Sequence, residues 1–128
     1  MTPYRYESGR RILWVDDRPN DNRPIAAHLE RRGFHISYAL STGLALVLLS
    51  KNKYFAVISD MGRPEGIREG FHLLDSMRGR DDQTPVIFYA SLDAPALREE
   101  AALHDAQGCT NNSAELIQLI EKLGNCPR

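Results

Sequence analysis

Tyr54-Phe55-Ala56-Val57-Ile58-Ser59-Asp60-Met61-Gly62-Arg63-Pro64 is an apolar run that ends in a carboxylate and then breaks into a loop. A run apolar at nearly every position, rather than at alternate ones, suits a parallel strand covered on both faces. A second such run, Ile12-Leu13-Trp14-Val15, also ends in acid, at Asp16-Asp17. Two buried parallel strands that deliver carboxylates at their C-terminal tips build an acidic pocket, at the edge where open α/β sheets bind ligands. Close carboxylates repel one another and need a cation or protons to coexist. An all-oxygen set of this kind suits Mg²⁺, which takes a few carboxylates and keeps several waters.

The rest of the chain alternates strand and helix patterns around these runs. Arg11–Val15 is the first strand. Pro24 suits a first helical turn, Ile25 and Leu29 share its apolar face, and Gly33 ends it. Phe34–Leu40 is a more polar second strand, expected nearer a sheet edge. Ser41 caps the next helix, whose apolar face is predicted as Leu44, Val47 and Leu48. Tyr54–Ser59 is the third strand, and Phe71, Leu74 and Met77 line a helix that starts near Gly70. Pro85–Tyr89 is the fourth strand, followed by a helix carrying Leu97, Ala101 and His104 on one face. Gly108–Asn111 is a weak fifth strand, and Leu116, Ile117, Ile120 and Leu123 mark a strongly amphipathic last helix. Five strand–helix units in sequence predict a doubly wound α/β fold, (βα)5, with a five-stranded parallel sheet and helices on both faces.

With 128 residues the chain is most simply one domain, read here as residues 11–124 with a flexible N-terminal arm (1–10) and a short tail (125–128). A net charge of −1 gives no electrostatic reason to expect a nucleic-acid surface. Cys109 and Cys126 have no CxxC spacing, so neither a zinc site nor a disulfide framework is indicated, and reduced thiols in a cytoplasm are expected. No stretch is long and apolar enough to span a bilayer.

Ile12-Leu13-Trp14-Val15-Asp16-Asp17 resembles the first-strand acidic pair of response-regulator receiver domains. Val57-Ile58-Ser59-Asp60-Met61-Gly62-Arg63-Pro64 resembles the phosphoacceptor strand and loop of that family, with its proline four residues after the acid. Asp60 follows Asp17 by 43 residues and Asp16 by 44, as the family's acceptor follows its acidic pair. The likeness covers residues 10–124. It implies a flavodoxin-like receiver fold in two-component phosphorelay signalling, with Asp60 as phosphoacceptor and no enzymatic role beyond self-phosphorylation. It also implies Mg²⁺ held by Asp17, Asp60 and the Gly62 carbonyl, with Asp16 acting partly through water. The implied upstream partner is a histidine kinase or phosphotransfer protein. The implied downstream partner is a protein that docks on the fourth helix, fifth strand and fifth helix. Ala101, Ala102, Ala106 and Cys109 would permit close packing there.

Two positions depart from the family pattern. Ala90 stands where the family carries a Thr or Ser hydroxyl, and Asn112 where it carries a Lys, with Ser113 in place of the usual Pro. The loop from Pro64 to Gly70 is also slightly longer than is usual. Ser91 could offer the missing hydroxyl, Arg63 or Arg68 the missing positive charge, and Asn112 an uncharged amide donor.

Plainer roles stand beside these. The three Asp residues could order loops without a metal. Asn112-x-x-Glu115 fits a helix-capping pattern. Trp14 and Cys109 suit the core, Phe88 and Tyr89 the core or the pocket wall, and Glu99-Glu100 a solvated helix face. His28, His35, His72 and His104 lack ligand spacing. Two further functions compete. A pseudo-receiver that binds partners without phosphate is favoured by Ala90 and Asn112. A Mg²⁺-dependent phosphohydrolase on a related sheet would need a second Asp two residues after Asp60, where Gly62 stands.

Overall fold

The computed structural model describes residues 10–62, 68–90 and 95–125. Arg63, Pro64 and Ser91, singled out above, lie outside the described residues, as do residues 1–9 and Cys126. The strands are β1 (Arg11–Val15), β2 (His35–Ala39), β3 (Ala56–Ser59), β4 (Val86–Tyr89) and β5 (Gly108–Thr110). A 3₁₀ turn (Pro19–Asn22) leads into α1 (Arg23–Arg31). The remaining helices are α2 (Thr42–Lys51), α3 (Glu69–Gly79), α4 (Pro95–Leu103) and α5 (Ser113–Asn125). All strand pairs are parallel, and the sheet order is β2-β1-β3-β4-β5. The five-stranded doubly wound sheet read from the sequence is therefore the fold, with the polar β2 at an edge.

Side-chain alternation divides the core between the two faces of the sheet. Ile12, Trp14, Ala56, Ile58 and Ile87 pack with Ala26 and Leu29 of α1 and Leu116 and Ile120 of α5. Leu13, Val15, Val57, Val86 and Phe88 pack with Ala45 of α2, with Phe71, Leu74 and Met77 of α3, and with Ala101 of α4. Trp14 is 1% exposed, as a residue in a strand covered on both faces should be.

Local signals end the helices where the sequence places them. The Ser41 side chain accepts the Leu44 N–H at 3.2 Å, and Gly33 closes α1 at φ +93°, a conformation glycine adopts without strain. Arg10, read as the last residue of a flexible arm, is tied down: its carbonyl accepts the His35 N–H at 2.7 Å and its guanidinium lies over the Phe34 ring.

The apolar face of α2 is a correction. Ala45 is the fully buried residue, with Leu46, Leu48 and Leu49 packed partly against the core, whereas Leu44 and Val47 are 44% and 48% exposed. The run Leu44-Ala45-Leu46-Val47-Leu48-Leu49 is apolar all round, so its periodicity selects no face. Packing on the sheet decides instead, and it turns the small Ala45 inward.

Two contacts set where α3 sits. Gly70, in its first turn, is so close to β3 that an added Cβ would lie 2.7 Å from the Asp60 carbonyl oxygen and 2.8 Å from Phe88 Cε1. At the other end, the half-buried Arg78 donates to the carbonyls of Asp82 (2.7 Å), Thr84 (3.0 Å) and Asp105 (2.9 Å) and to Gln107 Oε1 (3.3 Å). One guanidinium fork thus ties α3 to the loops before β4 and β5.

Replacing Arg78 by Ala should lower unfolding stability by about 1–3 kcal/mol, because the carbonyls it serves lose their donor. Urea melts followed by Trp14 fluorescence measure this, and Arg78→Lys, with a point charge in place of a fork, should recover only part. Gly70→Ala should also cost about 1–3 kcal/mol through overpacking, since the close neighbours are the backbone just after β3 and a buried ring of β4. An unchanged melting midpoint for Gly70→Ala would show that α3 can move away freely.

Candidate functional site

The site is set by strand register. Val15 pairs with Ser59, and the Asp60 N–H donates to the Val15 carbonyl at 3.1 Å. The residues that follow, Asp16-Asp17 on one strand and Asp60 on the other, therefore emerge side by side at the C-terminal edge. This is also where the sheet order reverses, since β1 lies between β2 and β3, and open α/β sheets bind ligands at such a switch point.

Carboxylate oxygens of Asp16, Asp17 and Asp60 lie within 4.8 Å of one another. Asp16 is buried and the other two are half-buried. The Asp16 oxygens already have partners: Oδ1 accepts the Arg18 N–H at 2.8 Å and Oδ2 accepts from the Asn22 side-chain amide at 2.6 Å. Asp16 thus orders the loop into α1, which is the plainer role weighed for it, and it does so while facing the other two acids. Ser59 Oγ donates to the Asp60 carbonyl at 2.7 Å, which steadies the turn out of β3.

Asp16, Asp60, Gly62, Tyr89 and Ala90 line a cavity of about 950 Å³. Of the positions expected to carry the family's accessory groups, Ala90 faces this cavity with a methyl group. Asn112 takes the capping role that its spacing to Glu115 suggests. Its Oδ1 accepts the Glu115 N–H at 2.9 Å, so the side chain caps α5. Asn111 is the residue that lines the cavity. Asn112 sits in the tight turn between β5, which ends at Thr110, and α5, which begins at Ser113. The capping pattern is only half a box: the Glu115 carboxylate takes the Thr110 hydroxyl, and Thr110 Oγ1 accepts the Asn112 N–H at 3.0 Å.

Arg68 also lines the cavity. Its guanidinium lies 4.8 Å from the centre of the Phe71 ring and is bonded to both carboxylate oxygens of Glu100 on α4. The hydrogen bond to Glu100 raises the Arg68 pKa, and the same bond holds the Glu100 carboxyl below its ordinary value. Glu100 is therefore not the freely solvated residue that Glu99-Glu100 suggested. Its partner stands 32 residues away in sequence, a separation at which periodicity carries no signal. Ala101 and Cys109 are a second correction on this side. They are 1% and 9% exposed and pack into the core, so they do not form a small-residue docking surface. Among the described residues, no helix is long and apolar enough to cross a membrane.

The comparisons agree with this geometry. The family model of the response regulator receiver domain matches residues 12–123. The chain is 32% identical over 104 residues to the two-component response regulator ARR10 of Arabidopsis thaliana, a match that covers 80% of this chain and 18% of that protein. The structure of the Francisella response regulator 1452 receiver domain superposes with a TM-score of 0.81 at 25% identity, covering 91% of this chain and 97% of that one. The response regulator protein TrrA from Thermotoga maritima, solved in complex with Mg(2+)-BeF, gives a TM-score of 0.74 at 25% identity over 89% of this chain and 98% of that one. A family match over nearly the whole sheet, on a 2-1-3-4-5 strand order with an acidic cluster at the switch point, places the chain in the response regulator receiver domain family of two-component signalling.

Proposed function

We propose that this receiver domain takes a phosphoryl group on Asp60 with Mg²⁺ bound beside it. The observation that carries the reading is the meeting of three carboxylates from two strands within 4.8 Å. Opposite oxygen ligands of an octahedral Mg²⁺ lie about 4.2 Å apart, so the donor set fits both the chemistry and the size of that ion. Asp17 and Asp60 would hold it directly, with the Gly62 carbonyl at the cavity rim. Asp16, whose oxygens already accept hydrogen bonds, suits a role through water. Bound there, Mg²⁺ supplies the positive charge that offsets charge on a transferring phosphoryl group. The TrrA complex with Mg(2+)-BeF supports this reading by analogy.

Asp60 acts as a carboxylate nucleophile. One Oδ forms a bond to phosphorus while the P–N bond of a phosphohistidine donor breaks. With a proton on the other ring nitrogen of the donor, the departing nitrogen keeps the bonding electron pair and leaves as neutral imidazole, and Asp60 becomes an acyl phosphate. Strand register positions the acceptor, and positioning supplies much of the catalysis in phosphoryl transfer. Because the acceptor is the protein's own side chain, no separate substrate is turned over. The donor would be a histidine kinase or phosphotransfer protein of the cytoplasm. The readout face would be α4, β5 and α5, where Leu103 stands 84% exposed. Arg63 and Ser91 remain candidates for the accessory cation and hydroxyl.

Incubation with phosphoramidate and Mg²⁺ should add one phosphoryl group, read by intact mass, and Asp60→Asn should abolish it. An adduct that survives in Asp60→Asn would place the acceptor elsewhere. No adduct at all would favour a phosphate-independent interaction module, which the bare Ala90 methyl group also suits. Mg²⁺ should change Trp14 fluorescence, because the Trp14 ring lies 6.4 Å from Tyr89 in the cavity wall. Asp17→Asn should weaken that titration by at least about tenfold.

A further inference from the structure

Charge in the cavity sets a requirement beyond the metal. Phosphorylation replaces the single charge of a carboxylate by roughly two. Asp16 and Asp21 already line the same cavity, and Asp17 adjoins it. One divalent ion does not neutralise that total, so a cationic side chain beside the acceptor is favoured. Among the described residues that line the cavity, only Arg18 and Arg68 carry positive charge.

The surroundings of Arg68 suit it to the task. Gly70, two residues on, abuts the Asp60 carbonyl and donates its N–H to the Met61 carbonyl at 2.8 Å, which anchors Arg68 beside the acceptor strand. The guanidinium rests on Phe71, itself part of the cavity wall. Its present anion is Glu100, in a pair whose side chains are 56% and 35% exposed. An exposed ion pair of this kind contributes little in water. A phosphoryl dianion offers the same forked geometry with more charge.

We propose that Arg68 binds the phosphoryl group on Asp60, and that in doing so it leaves Glu100 and unlatches α4 from α3. The inference rests on Asp60 being the phosphoacceptor. It gives phosphorylation a route to α4 that needs no hydroxyl at position 90. In the unphosphorylated state α4 is held to α3 by Arg68–Glu100 and by His104, whose Nδ1 lies 2.7 Å from Asp75 Oδ1 and whose ring stacks 4.6 Å from Phe71. His104 Nε2 is also 3.6 Å from Glu100, so the pairs form one connected latch. Leu97 of α4 lines the cavity, so release of the helix begins at the site itself.

The test uses the full chain and its Arg68→Ala, Arg68→Lys, Glu100→Gln and Arg18→Ala variants, each treated with phosphoramidate and Mg²⁺. Intact mass gives the rate of adduct formation, and hydrogen exchange of α4 peptides is read before and after. Arg68→Ala should form the adduct about a hundredfold more slowly, as for removal of one donor from a developing anion, with Arg68→Lys in between. Glu100→Gln frees the guanidinium, so its adduct should form at least as fast as in the unaltered protein. Its α4 should exchange modestly faster than in the unaltered protein before phosphate, and the unaltered protein should gain exchange in α4 on phosphorylation. A folding defect would slow the adduct, so an undiminished rate in Glu100→Gln separates mechanism from damage. Normal kinetics in Arg68→Ala would overturn the proposal, as would α4 protection that is unchanged by the adduct. Slow kinetics confined to Arg18→Ala would also overturn it and assign the role to Arg18. Absence of any adduct on the unaltered chain would overturn the acceptor reading and this one together, whereas an adduct with a normal Arg68→Ala overturns this one alone.

Discussion

The parallel pairing of β1 with β3 is the constraint on which the rest depends. Both strands are buried on both faces, and their register sets Val15 against Ser59. A slip of one residue would turn every side chain to the opposite face, moving Trp14 and Ile58 out of one core and Leu13 and Val57 out of the other. Hydrophobic burial on two faces therefore locks the register. The locked register brings Asp16, Asp17 and Asp60 together against their mutual repulsion. An acidic cluster is costly to assemble, and here the sheet core bears that cost.

Helix α3 is fastened at both edges of the sheet. Gly70 allows its first turn to lie against the backbone of Asp60, and Arg78 fastens its last turn to the loops that lead into β4 and β5. The helix behind the acceptor is thus close and firmly held. The α4 side is different. Between α3 and α4 the ties include exposed polar pairs, Arg68–Glu100 and His104–Asp75, which exchange partners more readily than packed apolar surface. A domain with one helix bolted beside the acid and another held in part by replaceable charges has the physical arrangement needed to turn local chemistry into a change at its surface.

The accessory positions show how a missing group can be offset from elsewhere. Ala90 and Asn111 bring no hydroxyl and no charge to the cavity, while Arg68 enters from the loop before α3. Its place in the loop beside Asp60 made Arg68 a candidate from sequence, but its contacts with Phe71 and Glu100 are set across the fold.

The sequence by itself determined the fold class, the five strands and the acidic triad, because each rests on local pattern. Continuous apolar runs mark buried parallel strands, and an acid at the end of such a run has to emerge at a sheet edge. Ser41 and Gly33 were legible for the same reason: a cap or a positive φ is written in a few neighbouring residues. Only the tertiary structure decided which face of α2 is buried, since a helix apolar all round carries no directional signal. It also decided that Asn111 faces the cavity, beside the Asn112 cap that the spacing to Glu115 had made legible. The Arg68–Glu100 latch was equally invisible, because an ion pair 32 residues apart exists only once the sheet has brought two helices side by side.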